Sequence, residues 1–249
     1  MVEKVVIKKM KKLFLFPTEM EAERFRAAMP DAEVRISGVG AAETAVATSN
    51  ALREGYRDLV LAGIAGTYDE TLESGTTVAV SEERAAGLPS TYLKSYTANY
   101  VPKGLPAVVS NTVAECGAAA DGAQIENMEG AVFFALCRDA GVRYCEIRSI
   151  SNKVGASRDD WQVDTALENL TKILVKIVSK EKVMNKTKII MYAALAVIVV
   201  ALAVLIVYKW DVWVRTAATW VLIIAVSFCA GWLLGRFGSG RKKKDADRS

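Results

Sequence analysis

Through the first 180 residues short apolar runs alternate with amphipathic stretches, and the alternation predicts strands and helices in turn. Residues 13–16 form an apolar run closed by Pro17. Thr18 then opens a helix through Met29, with Glu21 at capping-box spacing. Residues 33–36 predict a strand, Gly38-Val39-Gly40 a tight turn, and 41–52 an alanine-rich helix. Residues 58–62 predict a third strand that runs out into a Gly63-Ile64-Ala65-Gly66 loop, and 76–80 a fourth. From 81 to 124 the chain carries Pro89, Pro102 and Pro106 and few periodic runs, with 107–110 as a short strand. Beyond lie a helix over 126–140, a strand over 144–151, and a helix over 161–180 striped by Ala166, Leu170, Ile173, Leu174 and Ile177. Strands alternating with helices predict an α/β fold with a doubly wound, mainly parallel sheet.

After residue 184 the pattern changes. Residues 189–208 contain no charged side chain, and neither do 216–235. Each run is about 20 residues, the length an α-helix needs to cross a hydrocarbon layer of ~30 Å. Lys180, Lys182, Lys186 and Lys188 precede the first run; Arg236, Arg241, Lys242, Lys243 and Lys244 follow the second. Basic flanks favour the cytoplasmic side, which predicts a two-helix transmembrane hairpin with both ends inside and a short outer loop around Lys209, Asp211 and Arg215. Met184-Asn185-Lys186-Thr187-Lys188 reads as the start of a small membrane protein, as two joined reading frames would look. Met10 reads as a second start, with residues 1–9 as an extension. Two domains are expected: 10–182 and 184–249.

Composition sharpens this. The net charge of +4 is clustered at the flanks, which argues against a nucleic-acid surface. The chain has no histidine, which removes the commonest general base and the commonest zinc ligand. Cys116, Cys137, Cys145 and Cys229 show no CxxC spacing and read as reduced, mostly buried thiols.

The densest chemistry lies in Ile125-Glu126-Asn127-Met128-Glu129-Gly130-Ala131 and Ile147-Arg148-Ser149-Ile150-Ser151-Asn152. A carboxylate that grips two hydroxyls and an amide that grips a purine edge suggest a nucleoside site, placed where ligands collect at strand ends. Over about residues 10–183 these ordered motifs resemble the purine nucleoside phosphorylase/nucleosidase superfamily, and within it the futalosine hydrolases of menaquinone biosynthesis.

That resemblance implies cleavage of an N-ribosidic bond without metal or organic cofactor. The substrates would be futalosine and water, and the products hypoxanthine and dehypoxanthine futalosine. It also implies an oligomer of identical chains. Glu21 matches the acid that activates water, Met128 and Glu129 the residues that hold the ribose, and Asn152 the group that contacts the base. Gly63, Ile64 and Ser151 match residues that line or support the ligand. In the adenine-specific nucleosidases an Asp stands at position 152; Asn suits a 6-oxopurine. Glu19 and Glu21, with Ile64 where phosphorylases have a serine, argue for water over phosphate. Trp161, Tyr96 and Tyr100 are candidates for stacking on a base. The alternatives are a methylthioadenosine/S-adenosylhomocysteine nucleosidase and a non-catalytic, membrane-anchored nucleoside-binding scaffold.

Overall fold

The computed structural model describes residues 12–87, 91–92 and 94–242, apart from the side chains of 182, 185, 186, 230 and 232–242. The second start at Met10 and Lys243 and Lys244 of the basic tail lie outside the described residues, as do the side chains of Lys182, Lys186, Arg236, Arg241 and Lys242. The chain divides into two units, Met1–Glu181 and Lys182–Ser249.

In the first unit the elements run β1 (Lys12–Phe16), α1 (Glu19–Ala28), β2 (Val34–Ile36), α2 (Ala41–Arg53), β3 (Asp58–Thr67) and β4 (Thr77–Ala85). There follow β5 (Ser95–Thr97), β6 (Ala107–Thr112), β7 (Ile125–Asn127), α3 (Gly130–Asp139), β8 (Arg143–Lys153) and α4 (Val163–Lys242), whose residues to 181 belong here. Both faces of β1 are buried, so its run is apolar without alternation. Leu13 and Leu15 join one core with Leu59, Leu61, Phe133, Phe134 and Tyr144. Phe14 and Phe16 join the other with Phe25, Val60, Ile147, Leu170 and Leu174. The stripe on α4 therefore covers the face opposite α3.

The pairing is mainly parallel, as the alternation predicts, but the sheet is not the open, doubly wound one. β3 pairs with β8, β8 antiparallel with β4, β4 with β6, β6 with β7, and β7 antiparallel back onto β3, which closes a ring. The physical reason is strand length. One edge of β3 serves β1 along Asp58–Leu61 and then β7 at Gly66 and Thr67, while the other edge is taken by β8 throughout. Register shifts at Ala65/Gly66 in β3 and Val80/Glu82 in β4 supply the bend that closure needs.

Three boundaries differ from the sequence reading. The Gly63–Gly66 segment is strand, held by its pairing to β8 (Gly63 with Arg148, Gly66 with Asn152). Residues 126 and 127 belong to β7 rather than to the helix, which starts at Gly130. β8 runs on to Lys153, so Asn152 sits within the strand rather than after it.

In the second unit α4 continues without a break. Residues 187–229 are apolar and long enough to cross a membrane, and none of their most apolar window is buried. Leu202, Ile206, Trp213, Trp220 and Phe228 are each more than half exposed. The outer loop expected around 209–215 is helical here. That segment has no Gly or Pro to break a helix, and Asp211 pairs with Arg215 one turn on, at 3.1 Å.

Candidate active site

Thr18 caps α1: its hydroxyl accepts the Glu21 N–H at 3.3 Å. In a full capping box the Glu21 carboxylate would reach back to the Thr18 N–H. Here it turns inward instead. Oε1 accepts the Ile64 N–H of β3 at 2.9 Å, and Oε2 accepts the Thr18 hydroxyl at 2.7 Å. Burial raises its pKa above the usual carboxylate value; the Ile64 N–H, the Thr18 hydroxyl and Arg148 pull it partly back, and Glu129 adds to the rise. Gly63 makes this approach possible, because a Cβ there would lie 2.6 Å from the Arg148 guanidinium and 2.8 Å from Glu21 Oε1.

Asn127 ends β7 and organises the turn into α3. Its Oδ1 accepts the N–H groups of Glu129 and Gly130, both at 2.8 Å, and Arg148 Nη2 at 3.1 Å. Glu129 is thereby fixed at the head of the helix. Its Oε1 accepts the Gly40 N–H at 2.9 Å; its Oε2 accepts Arg148 at 3.0 Å and the Met128 N–H at 3.3 Å. Gly40 is the second glycine of the predicted turn and adopts φ +86°, which side-chain-bearing residues rarely reach.

Arg148 is the hub. It is 1% exposed, and two residues along the same strand face it binds Glu146 Oε1 at 2.7 Å. Burial opposes its charge, but Glu146 and Glu129 outweigh that and raise its pKa.

Glu21, Ile64, Met128, Glu129, Ser151 and Asn152 all line one cavity of about 200 Å³; Gly63 stands behind it against Glu21 and Arg148. Asn152 Oδ1 accepts the Ser151 hydroxyl at 2.7 Å and its Nδ2 donates to the Lys153 carbonyl at 2.9 Å, leaving one amide hydrogen for a ligand. Trp161 also lines the cavity, and its indole N–H meets no acceptor among the described residues. Tyr96 and Tyr100 lie elsewhere, beneath the guanidinium groups of Arg138 (5.1 Å) and Arg143 (3.7 Å). Glu19 is exposed and paired with Arg26, so it does not bear on the cavity.

Sequence reasoning missed Glu126, whose buried carboxylate lines the cavity and accepts the Tyr68 hydroxyl at 2.6 Å and the Gly117 N–H at 2.8 Å. It also missed Asn127, although an Asn just ahead of a helix is a recognisable cap. Glu146 escaped notice because a charged residue in a strand reads as its solvent face, and Glu83 because it lies beyond the strand expected over 76–80. Of the cysteines, Cys137 and Cys145 are buried, while Cys116 is exposed at the cavity wall and Cys229 on the apolar helix.

Comparison with known proteins bears on this arrangement. Residues 104–179 match the model of the phosphorylase superfamily. Futalosine hydrolase of Thermus thermophilus is 38% identical over 61 residues; the match spans 24% of this chain and 27% of that relative. Two solved structures share the fold. A mutant of Helicobacter pylori MTAN holding 5′-methylthioadenosine in its active site has a TM-score of 0.60 at 16% identity, covering 69% of this chain and 99% of the other. Native futalosine hydrolase of Helicobacter pylori has 0.59 at 15%, covering 69% and 98%. Residues 104–179 are thus similar to the phosphorylase superfamily, and the first unit shares the fold of these solved structures.

Proposed function

We propose that residues 10–182 form a nucleosidase that hydrolyses the N-ribosidic bond of a purine nucleoside. The observation that carries this is the convergence of Glu21, Glu129, Arg148 and Asn152 on one cavity. Such bonds break through a sugar cation, so the site must activate water, hold the ribose and stabilise the departing base. Glu21 is the general base: burial lifts its pKa toward the working range, and lone pairs not used by Ile64 and Thr18 accept a proton from water. Glu129 holds the ribose. Three protein donors already occupy most of its roughly four lone-pair directions. One sugar hydroxyl fits as it stands, and a second displaces the long Met128 contact. Asn152 meets the base. Acidic groups outnumber cations around the cavity, and Arg148 is already shared between Glu129 and Glu146, which favours water over a phosphate dianion.

Asn at 152 and the futalosine hydrolase relative favour a 6-oxopurine nucleoside, with futalosine as the substrate of choice and menaquinone synthesis as the setting. Adenine nucleosides are the rival, since the MTAN structures share the fold. Hypoxanthine release from futalosine, assayed beside adenine release from methylthioadenosine, separates the two. No base release from either would overturn the nucleosidase reading. Glu21→Gln should lower turnover ~10²–10⁴-fold with binding retained, whereas Glu129→Ala should weaken binding as well.

The apolar helix supports a second element of the proposal, attachment to a membrane. Forty-three residues of α-helix span roughly 64 Å, about twice a ~30 Å hydrocarbon layer. Lys209, Asp211 and Arg215 interrupt the run between Tyr208, Trp210 and Trp213, side chains that favour the interface. Two crossings, with the basic flanks keeping both ends on the cytoplasmic side, require the helix observed over 209–215 to open into a turn in the membrane.

A further inference from the structure

The nucleosidase reading leaves two of the most deeply buried acids without a role. Glu83 on β4 and Glu146 on β8 are both 0% exposed. They meet under the start of α3, where a Cβ on Gly130 would lie 2.2 Å from Glu83 Oε1 and 2.5 Å from Glu146 Oε2.

The hydrogen bonds around them can be accounted for one by one. Glu83 Oε2 accepts the Thr112 hydroxyl at 2.6 Å; that hydroxyl accepts the Ala131 N–H at 2.7 Å, so its single hydrogen is committed to Glu83. Glu83 Oε1 accepts Asn127 Nδ2 at 2.5 Å, and Glu146 Oε1 accepts Arg148 Nε at 2.7 Å. Glu146 Oε2 is left facing Glu83 with no donor among the described residues so long as both acids are ionised. A buried acceptor without a donor is costly, more so when charged. One proton between the two acids removes the deficit.

Charge leads to the same place. Arg148 on β8, Glu129 at the head of α3 and Glu21 on α1 all act on this cluster, and one guanidinium cannot balance four carboxylates. Burial and the Glu146 charge push Glu83 well above the usual carboxylate value; burial raises Glu146 too, but Arg148 restrains it.

We propose that Glu83 and Glu146 hold one proton between them, and that this acid pair is the positioning element that fixes Asn127 and, through it, Glu129 and Arg148. Glu83 takes one Asn127 Nδ2 hydrogen and Ser110 Oγ the other, at 2.8 Å, so the amide cannot turn over. Its oxygen is then committed to the two N–H groups that set Glu129 in place. The consequence for ribose holding rests on the nucleosidase reading; the shared proton does not.

The test uses the full chain in detergent at neutral pH. Infrared spectroscopy should show the carbonyl band of a protonated carboxylic acid. Glu146→Gln should lose that band, because its amide donates to a now ionised Glu83. Glu21→Gln should retain it. Hydrogen exchange reads the positioning: the Glu129 and Gly130 amides should stay protected in Glu146→Gln. In Glu83→Leu they should exchange roughly five- to tenfold faster, the worth of one buried hydrogen bond. If Glu83→Leu does not fold, Glu83→Asp replaces it, being too short to reach Asn127 and Glu146 together. No such band in the native chain, or a band unchanged in Glu146→Gln, overturns the shared proton. Undiminished protection when Glu83 is replaced overturns the positioning. Neither measurement needs turnover, so failure of the nucleosidase reading would show separately, as absent base release.

Discussion

The two units of this chain are built from similar apolar residues and use them in opposite ways. In the first, Leu61, Phe133, Phe134 and Ile147 lie at or below 1% exposure between strands and helices. In the second, Leu202, Ile206, Trp213 and Phe228 are each more than half exposed. Hydrophobicity alone therefore does not state where a residue goes; it states what the residue must be kept from. The first unit hides its apolar surface by closing a sheet on itself. The second needs an apolar surrounding from elsewhere, because soluble proteins rarely expose contiguous apolar patches beyond a few hundred Å².

The sharpest way to break that contrast is to separate the units. The intact chain should sediment with membranes and require detergent, while a chain ending at residue 182 should stay in the supernatant with near-full base-releasing activity. Intact protein that remains in solution without detergent would refute membrane attachment. Next in size is a paired substitution. Phe134→Ala should cost the first unit ~3–5 kcal/mol, as emptied aromatic sites in packed cores do. Trp213→Ala should leave the same unfolding transition unchanged. Equal losses, read by chemical denaturation, would show that the two apolar populations are not distinct.

Within the first unit the contrast lies between residues that fill the core and residues that face the cavity. Asn152→Asp should lower turnover of a 6-oxopurine nucleoside by about 10²–10³, the ~2.7–4 kcal/mol of a hydrogen bond made in the transition state. Stability should change little. An equal response of less than about threefold on hypoxanthine and adenine nucleosides would remove Asn152 from base contact. The smallest effect expected is a shift in pH dependence. A general base must be unprotonated, so the acid limb of activity follows the raised Glu21 pKa. Thr18→Ala deletes a donor to the carboxylate, lifts that pKa further, and should move the acid limb to higher pH. A limb that stays in place would dissociate Glu21 from the titration.

Much of the fold was legible in the chain itself. Unbroken apolar runs such as that of β1 require cover on both faces, which calls for a layered α/β unit. The charge-free stretches after residue 188 require an apolar environment. The Asn-Met-Glu-Gly and Ser-Ile-Ser-Asn segments drew attention because a carboxylate and an amide at strand ends suit a nucleoside and because their order resembles the nucleosidase superfamily. Other features depended on three dimensions. Whether a mainly parallel sheet stays open or closes turns on which edges of β3 and β4 are taken, and edge pairing between residues far apart leaves no local periodic signal. The Gly63–Gly66 segment became strand for the same reason. Glu146 alternates with apolar neighbours as a solvent-facing position does, and Glu83 stands in the charged run Glu82-Glu83-Arg84, so only packing beneath Gly130 places them inside, where burial changes their chemistry. A linear pattern records which residues must avoid water and which turns the backbone permits. It does not record which distant strand will supply the neighbour, and that neighbour determines the charge, proton and hydrogen bonds of each acid in the cavity.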